Sequence, residues 1–439
     1  MGKSIDEIQN LTISTTTTLN AQNANVDCLC ITLDTAALVR MLDERIGEPG
    51  FGEAVLASHP HLFSSSPVFV DREVLDRMML VVEASEAVAH NPGFRSTALG
   101  YAPPISAHDF GIRGLFMGYD FHLTADGPKL IEINTNAGGA FLNAILADAQ
   151  ESCCPTAETA FLAHHPSRAF DDQIASIFEE EWRTQRGTGR PGRIAIIDEE
   201  PQSQLLYPEF LAARTLLENA GFAVDICSPE QLSFSGHALM LNDQPVDFVY
   251  NRLVDFALQE PTNGALRKAY LSGRVVVSPN PHVHALYADK RNLVFLSDRN
   301  RLIAHGVSET HAGILHSAVP ETLIVEPDNA STLWKERRAW FFKPAGGYGS
   351  KAAYRGAKLT KKVWEEIVRG GYVAQRYTAP SLRRVSVAGE PVDLKVDIRL
   401  YTYAGRALMA AARLYQGQTT NMRTSGGGFA PVLSFAAPV

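Results

Sequence analysis

Gly118-Tyr-Asp-Phe-His-Leu-Thr-Ala-Asp-Gly-Pro-Lys-Leu-Ile-Glu-Ile-Asn-Thr-Asn-Ala-Gly-Gly139 is the stretch around which the chain is organised. Apolar and polar residues alternate on both sides of Ala125-Asp126-Gly127, so the pattern predicts two strands joined by a tight turn. Side chains repeat every second residue along a strand. Glu132 and Asn134 therefore share one face of the second strand, and Asp120 can face them from the first. Two carboxylates and an amide oxygen converge, with His122 as the one imidazole nearby and no Cys. Hard oxygen donors of this kind suit Mg²⁺, which takes one or two carboxylates and completes its shell with water and phosphate oxygens. A solvated hairpin whose acids face water is the plain alternative.

The 439 residues are enough for two or three domains with sizeable cores. Hydrophobic content of 45% and charged content of 20% are those of a soluble globular protein. A net charge of −8 leaves no basic surplus with which to neutralise a nucleic-acid backbone, so no nucleic-acid partner is expected. Cys28, Cys30, Cys153, Cys154 and Cys227 form no regular framework and no zinc spacing, and are expected to be idle thiols in a reducing compartment. No apolar run approaches the ~20 residues of a membrane span, and the Thr/Asn-rich residues 1–25 lack the order of a secretory signal. We expect a disordered tail there, a cytoplasmic location and no membrane partner.

Further along, Asp34 caps a predicted helix with Leu38, Met41, Leu42 and Ile46 on one face. A second helix is predicted from Arg72 to about His90, its apolar stripe interrupted by Glu86. Helices follow over 140–150 and 170–184, and Arg186-Gly-Thr-Gly-Arg-Pro-Gly192 reads as a linker. Residues 193–285 then alternate short apolar strands (193–198, 223–227, 246–251, 275–278) with a helix over 205–220, the pattern of a parallel sheet. Asp198, Asn251 and Arg252 fall at strand carboxyl ends, where they serve either as substrate contacts or as loop caps.

Lys290 sits near the start of a predicted helix over 287–297. Trp340-Phe-Phe-Lys-Pro-Ala-Gly-Gly-Tyr-Gly-Ser-Lys351 gives a strand, a lysine and a Gly-rich turn that lets backbone N–H groups approach phosphate. Strands are predicted over 371–377, 393–403 and 407–415, with Asp397, Arg399 and Tyr401 on one face. Asn421 and Arg423 lie in the polar, flexible run that ends in Gly426-Gly427-Gly428. Arg399, Arg413 and Arg423 recur close to Gly-rich loops, as an anion site would require.

These pieces together resemble the ATP-grasp family of carboxylate–amine ligases, in its glutathione synthetase-like branch. Glu132-Ile-Asn134 before Ala137-Gly138 is similar to the family's metal strand, and Asp120 falls where its first metal ligand stands. Lys343-Pro344 before glycines resembles the lysine strand and phosphate lid, and Lys290 resembles the second nucleotide-binding lysine. In family members the Glu-x-Asn strand comes last, whereas here it precedes Lys343. The resemblance therefore implies an α/β (mixed α+β) ATP-grasp fold that is circularly permuted, like that of glutathionylspermidine synthetase relatives. Residues 26–185 would hold N-terminal helices and one half of the ATP-grasp domain, 193–285 a Rossmann-like pre-ATP-grasp domain, and 286–439 the lysine, Gly-loop and hinge portion.

The resemblance further implies ATP and Mg²⁺ as cofactors and small-molecule carboxylate and amine substrates, the acid an amino acid or peptide-like compound. The γ-phosphoryl of ATP would pass to the carboxylate, and the amine would displace phosphate from the acylphosphate. Asp120, Glu132 and Asn134 would hold Mg²⁺. Lys290, Lys343 and the Gly346, Gly347 and Gly349 loop would bind phosphates, with Gln375, Arg376 and Tyr377 along the hinge. Arg399, Arg413, Asn421 and Arg423 would stabilise and orient the transferred group. The hinge reads Ala374-Gln375-Arg376, without the acid that holds the ribose in many members, so the ribose contact is unassigned. A kinase that stops at phosphoryl transfer and a nucleotide-binding protein without turnover share the same parts. The oligomeric state is left open, a homodimer included.

Overall fold

The computed structural model describes residues 21–27, 31–152, 166–347 and 352–435. Its largest sheet has seven strands and is built from both halves of the chain. Met117–Thr124 and Gly127–Asn134 form the expected hairpin. Asp120 pairs with Glu132 in register, and the pairing shifts just beyond Asp120. The free edge of Met117–Thr124 is taken by the long strand Glu390–Tyr403, antiparallel, which sets Arg399 opposite Asp120. Arg406–Tyr415 follows and sets Arg413 opposite Asp397. Gly428–Phe435 and the parallel strand Val68–Asp71 close that side, and Ser381–Val387 pairs the start of the long strand. Alternation does the rest: one row of side chains along the sheet is charged, while Tyr119, Phe121, Ile398 and Leu400 go into the main core.

A smaller, four-stranded antiparallel sheet carries the lysine strand. Its order is Thr322–Ile324, Tyr372–Arg376, Trp340–Pro344, Tyr354–Arg355. A separate core of Val325, Leu333, Trp340, Phe342, Ile367 and Ala374 supports it. The expected parallel sheet is present as Val276–Ser278, Phe248–Asn251, Arg193–Ile197 and Ala223–Cys227, with Tyr207–Asn219 among its helices.

Three sequence expectations are corrected. Residues 21–25, expected in a disordered tail, belong to a helix, Ala21–Asp27. The fully buried Arg383 donates to the Ala24, Asn25 and Pro67 carbonyls, and the Asn25 amide pairs with both backbone groups of Phe69. The remainder of that tail lies outside the described residues, as do Cys28, Cys30, Cys153 and Cys154; Cys227 is buried and free. The strand expected over 246–251 is two strands in two sheets, Gln244–Val246 and Phe248–Asn251. The chain is redirected at Asp247, whose carboxylate accepts the Gly192 and Arg193 N–H groups. The helix expected over 287–297 is interrupted: Pro281–Tyr287 ends, and Asn292–Ser297 begins afresh. Asp289 turns the backbone by accepting Arg291 N–H and its guanidinium, so Lys290 stands in the break. Glu86, which interrupts an apolar stripe in Arg72–Ala89, accepts the Tyr119 and Tyr287 hydroxyls at 3.0 and 2.6 Å.

Candidate active site

The cleft between the seven-stranded and the four-stranded sheet is lined by Asp120, Glu132, Lys290, Lys343, Gly347, Gln375, Arg376, Tyr377, Lys395, Asp397 and Arg413, among others. Five cationic side chains thus meet three carboxylates, a surplus that suits a polyanion. The break before Asn292 delivers Lys290, whose Nζ donates to the Gly347 carbonyl at 2.8 Å and lies 3.8 Å from Glu132. The strand Trp340–Pro344 delivers Lys343, whose Nζ donates to the Ile131 carbonyl at 2.8 Å and to Gln375 Oε1 at 2.9 Å. Burial drives the Lys343 ammonium down to about 8, against the opposing pull of Glu132. Gln375 lines the cleft, and its buried Nε2 has no partner among the described residues.

The hairpin acids are ionised despite burial. Burial pushes the Asp120 carboxyl up, but Arg399 and Arg413 outweigh it and hold it below the usual carboxylate range. Arg399 binds it bidentately at 2.6 and 2.7 Å, and Arg413 approaches at 2.9 Å. Glu132 is held down in the same way, burial being outweighed by Lys290 and Lys343. Asn134 Nδ2 donates to both acids at 3.0 Å, while its Oδ1 accepts no hydrogen bond among the described residues. Two carboxylates and the Asn134 amide therefore meet, with Nδ2 turned to the acids; the carboxylate oxygens are hard donors that fit Mg²⁺, and the amide adds its oxygen when turned over. Among the described residues no three of His, Cys, Asp and Glu are grouped to hold a metal, so phosphate and water would supply the remaining ligands.

Placement of the other expected residues is uneven. Arg376 reaches the cleft but pairs at its rim with Glu321 at 2.8 Å and Glu336 at 3.6 Å. Tyr377 lines the cleft under the Arg355 guanidinium, 4.3 Å from its ring. Gly346 is exposed, and Gly349 lies outside the described residues. Asn421 and Arg423 are not brought to the cleft. Asn421 holds its own loop together through the Gln416 carbonyl, Arg423 N–H and Thr424 hydroxyl, and Arg423 is exposed. Asn251 caps its loop through Leu253 N–H and the Pro279 carbonyl. Arg252 is different: it is buried over the Phe210 and Tyr250 rings, its Nε has no partner among the described residues, and a Cβ on Gly138 would fall 2.9 Å from its Nη2. Asp198 nearby is pushed up to about 6 by burial, with Arg252 opposing.

Sequence reasoning gives no role to Lys395 or Tyr415, and none to His122 beyond its place near the hairpin acids. The two-residue period from Arg399 back through Asp397 to Lys395 would have found the first. His122 bridges the Thr378 carbonyl and Asp397 Oδ1, both at 2.8 Å. Both partners are acceptors, and they fix the ring between them. Tyr415 donates to the same carboxylate oxygen at 3.0 Å. No spacing in the sequence signals these long-range contacts.

No protein-family model matches the chain, and none of the curated proteins matches it. Solved structures do. A glutathione synthetase-like effector from Globodera pallida superposes with a TM-score of 0.55 at 12% identity, over 91% of this chain and 97% of that one. A putative gamma-glutamylcysteine synthetase from Methylobacillus flagellatus gives 0.45 at 12% identity, over 78% and 84%. The ATP-grasp ligase PsnB, in complex with a minimal precursor, Mg and ADP, gives 0.28 at 14% identity, over 55% and 88%. The first superposes well enough for the fold to be read from it, and the chain shares the fold of that glutathione synthetase-like protein.

Proposed function

We propose that the protein is an ATP- and Mg²⁺-dependent carboxylate–amine ligase with a circularly permuted ATP-grasp domain. One observation carries this reading: Asp120, Glu132, Lys290, Lys343 and Arg413, drawn from distant parts of the chain, line one cleft. The pairing of Met117–Thr124 with Glu390–Tyr403 supports the permuted order, since it joins an early metal hairpin to a late strand. The parallel sheet supports residues 193–285 as the pre-ATP-grasp domain.

Asp120, Glu132 and Asn134 would hold Mg²⁺, which when bound neutralises phosphate charge. Lys290 and Lys343 bind phosphate oxygens, and the loop through Gly347 covers them. Arg413 and Arg399 stabilise charge on the transferred phosphoryl group, and the Gln375 amide donates to the nucleotide. Arg252, facing the Gly138 turn with an Nε that has no partner among the described residues, binds the carboxylate of an amino-acid or peptide-like acid. Positioning and charge neutralisation are what such a transfer needs, and no nucleophilic side chain is called for. The decisive test is phosphate release from Mg²⁺-ATP across a panel of acids and amines. Release that requires both supports the ligase; release with the acid alone makes the protein a kinase. Nucleotide binding without turnover on any pair removes the enzyme.

A further inference from the structure

Residues 335–376 hold eleven Lys and Arg against three Glu, a surplus of eight positive charges in a chain whose net charge is −8. The fold gathers part of this surplus on the outer face of the small lobe. The end of the helix Pro327–Lys335 packs by the helix Lys361–Val368, where the Trp334 and Trp364 rings lie 5.5 Å apart. The short turns Arg337–Ala339 and Gly356–Lys358 abut so closely that a Cβ on Gly356 would overlap the Arg337 carbonyl. Lys335, Arg338, Lys358, Lys361 and Lys362 are exposed around that seam, and Arg337 lies over the Trp334 ring at 4.2 Å.

Among the described residues none of these six cations pairs with a carboxylate. Of the three acids in the segment, Glu336 faces Arg376 instead. Lys361 and Lys362 also occupy the first turn of their helix, where the helix dipole disfavours positive charge. An unpaired cationic cluster placed against a dipole does not stabilise the fold. The patch is electrically continuous with the cleft: Arg355 and Lys358 help to lower Lys395, on which burial acts first, and Lys395 lines the cleft wall.

We propose that this face of the small lobe docks an acidic segment of a polypeptide at the mouth of the cleft. Acidic-motif recognition by clustered cations is an established mode of peptide binding. A long nucleic acid fits less well, because the remaining residues of the chain sum to −16 and would repel it beyond the patch. The proposal stands apart from the ligase reading, because none of the six patch cations lines the nucleotide cleft.

The test is fluorescence anisotropy of a labelled oligo-glutamate peptide with the full chain, in parallel with a single-stranded oligonucleotide of equal charge. The comparison is the triple variant Lys358→Glu, Lys361→Glu, Lys362→Glu. Two of its changes put acids into a helix first turn, where they are favoured, so the variant is expected to fold. The expected result is salt-sensitive peptide binding that weakens about tenfold or more in the variant. A wild-type chain that does not bind the peptide, equal affinities for the two proteins, or tighter binding of the oligonucleotide would each overturn the proposal. Thermal shifts with Mg²⁺-ATP on the same two proteins keep the two ideas separate: a missing shift in both counts against the nucleotide site and leaves the peptide result standing.

Discussion

Arg399 clasps Asp120 through both carboxylate oxygens, Nε at 2.6 Å and Nη2 at 2.7 Å, across 279 residues of chain. With Asp120 only 1% exposed, its charge is sustained by Arg399 and Arg413 and theirs by it. Asp120→Asn would leave two buried guanidinium groups facing a neutral amide. The expected loss of stability is about 3–5 kcal/mol, read as a lowered urea midpoint at unchanged slope.

Glu132 does not carry that load. Its partners are Asn134 at 3.0 Å and Lys290 at 3.8 Å. Glu132→Gln is expected to retain a near-native melting temperature in buffer and to lose the Mg²⁺-dependent part of the shift given by ATP. An ATP shift whose Mg²⁺ dependence matches the wild type would take Glu132 out of the metal site.

Lys343 offers a pH signature. Burial brings its ammonium down to about 8, so its charge is present at pH 7 and fades as pH rises through 8. Nucleotide affinity, measured by calorimetry between pH 6.5 and about 9 to bracket this value, is expected to fall with rising pH. Lys343→Ala should weaken binding by about 1.5–3 kcal/mol, the range of a hydrogen bond to a charged group, and flatten the profile.

Glu181 makes a prediction about stability alone. Its Oε1 accepts the Arg113 and Gly114 N–H groups at 3.0 Å, while burial pushes the acid up to about 8. Between the usual carboxylate range and pH 8 the folded protein keeps a proton that the unfolded chain has released. Stability therefore falls as pH climbs through this window. Glu181→Gln keeps the oxygen acceptor without the charge, so its melting temperature should decline less between pH 5 and about 8 than that of the wild type. Parallel declines would show that Glu181 is not the titrating group.

Much of the site was legible because it rests on local pattern. The period of two put Asp120, Glu132 and Asn134 together, and the lysine before glycines marked Lys343. What was not legible depends on contacts between remote segments. Nothing in Tyr287-Ala-Asp-Lys-Arg-Asn-Leu293 shows that Asp289 will end one helix and aim Lys290 into a cleft. The helix Ala21–Asp27 has no strong periodicity of its own and is held by Arg383, more than three hundred residues later in the sequence. Asn421 and Arg423 were chosen by residue type in a Gly-rich run, where side-chain direction has no period to read.

The seven-stranded sheet also sets a timetable. The hairpin made early in synthesis has its outer edge covered by Glu390–Tyr403, made much later. At roughly 5–20 residues per second, the 279 residues between Asp120 and Arg399 take roughly 15–55 s to appear. Through that interval the nascent chain exposes an unpaired strand edge, the usual seed of aggregation. Closing so long a loop by diffusion alone costs about 5 kcal/mol in entropy. The hairpin acids and the arginines that face them are thus completed together, only once Arg399 and Arg413 have been made, and a chain released before then has no partial site.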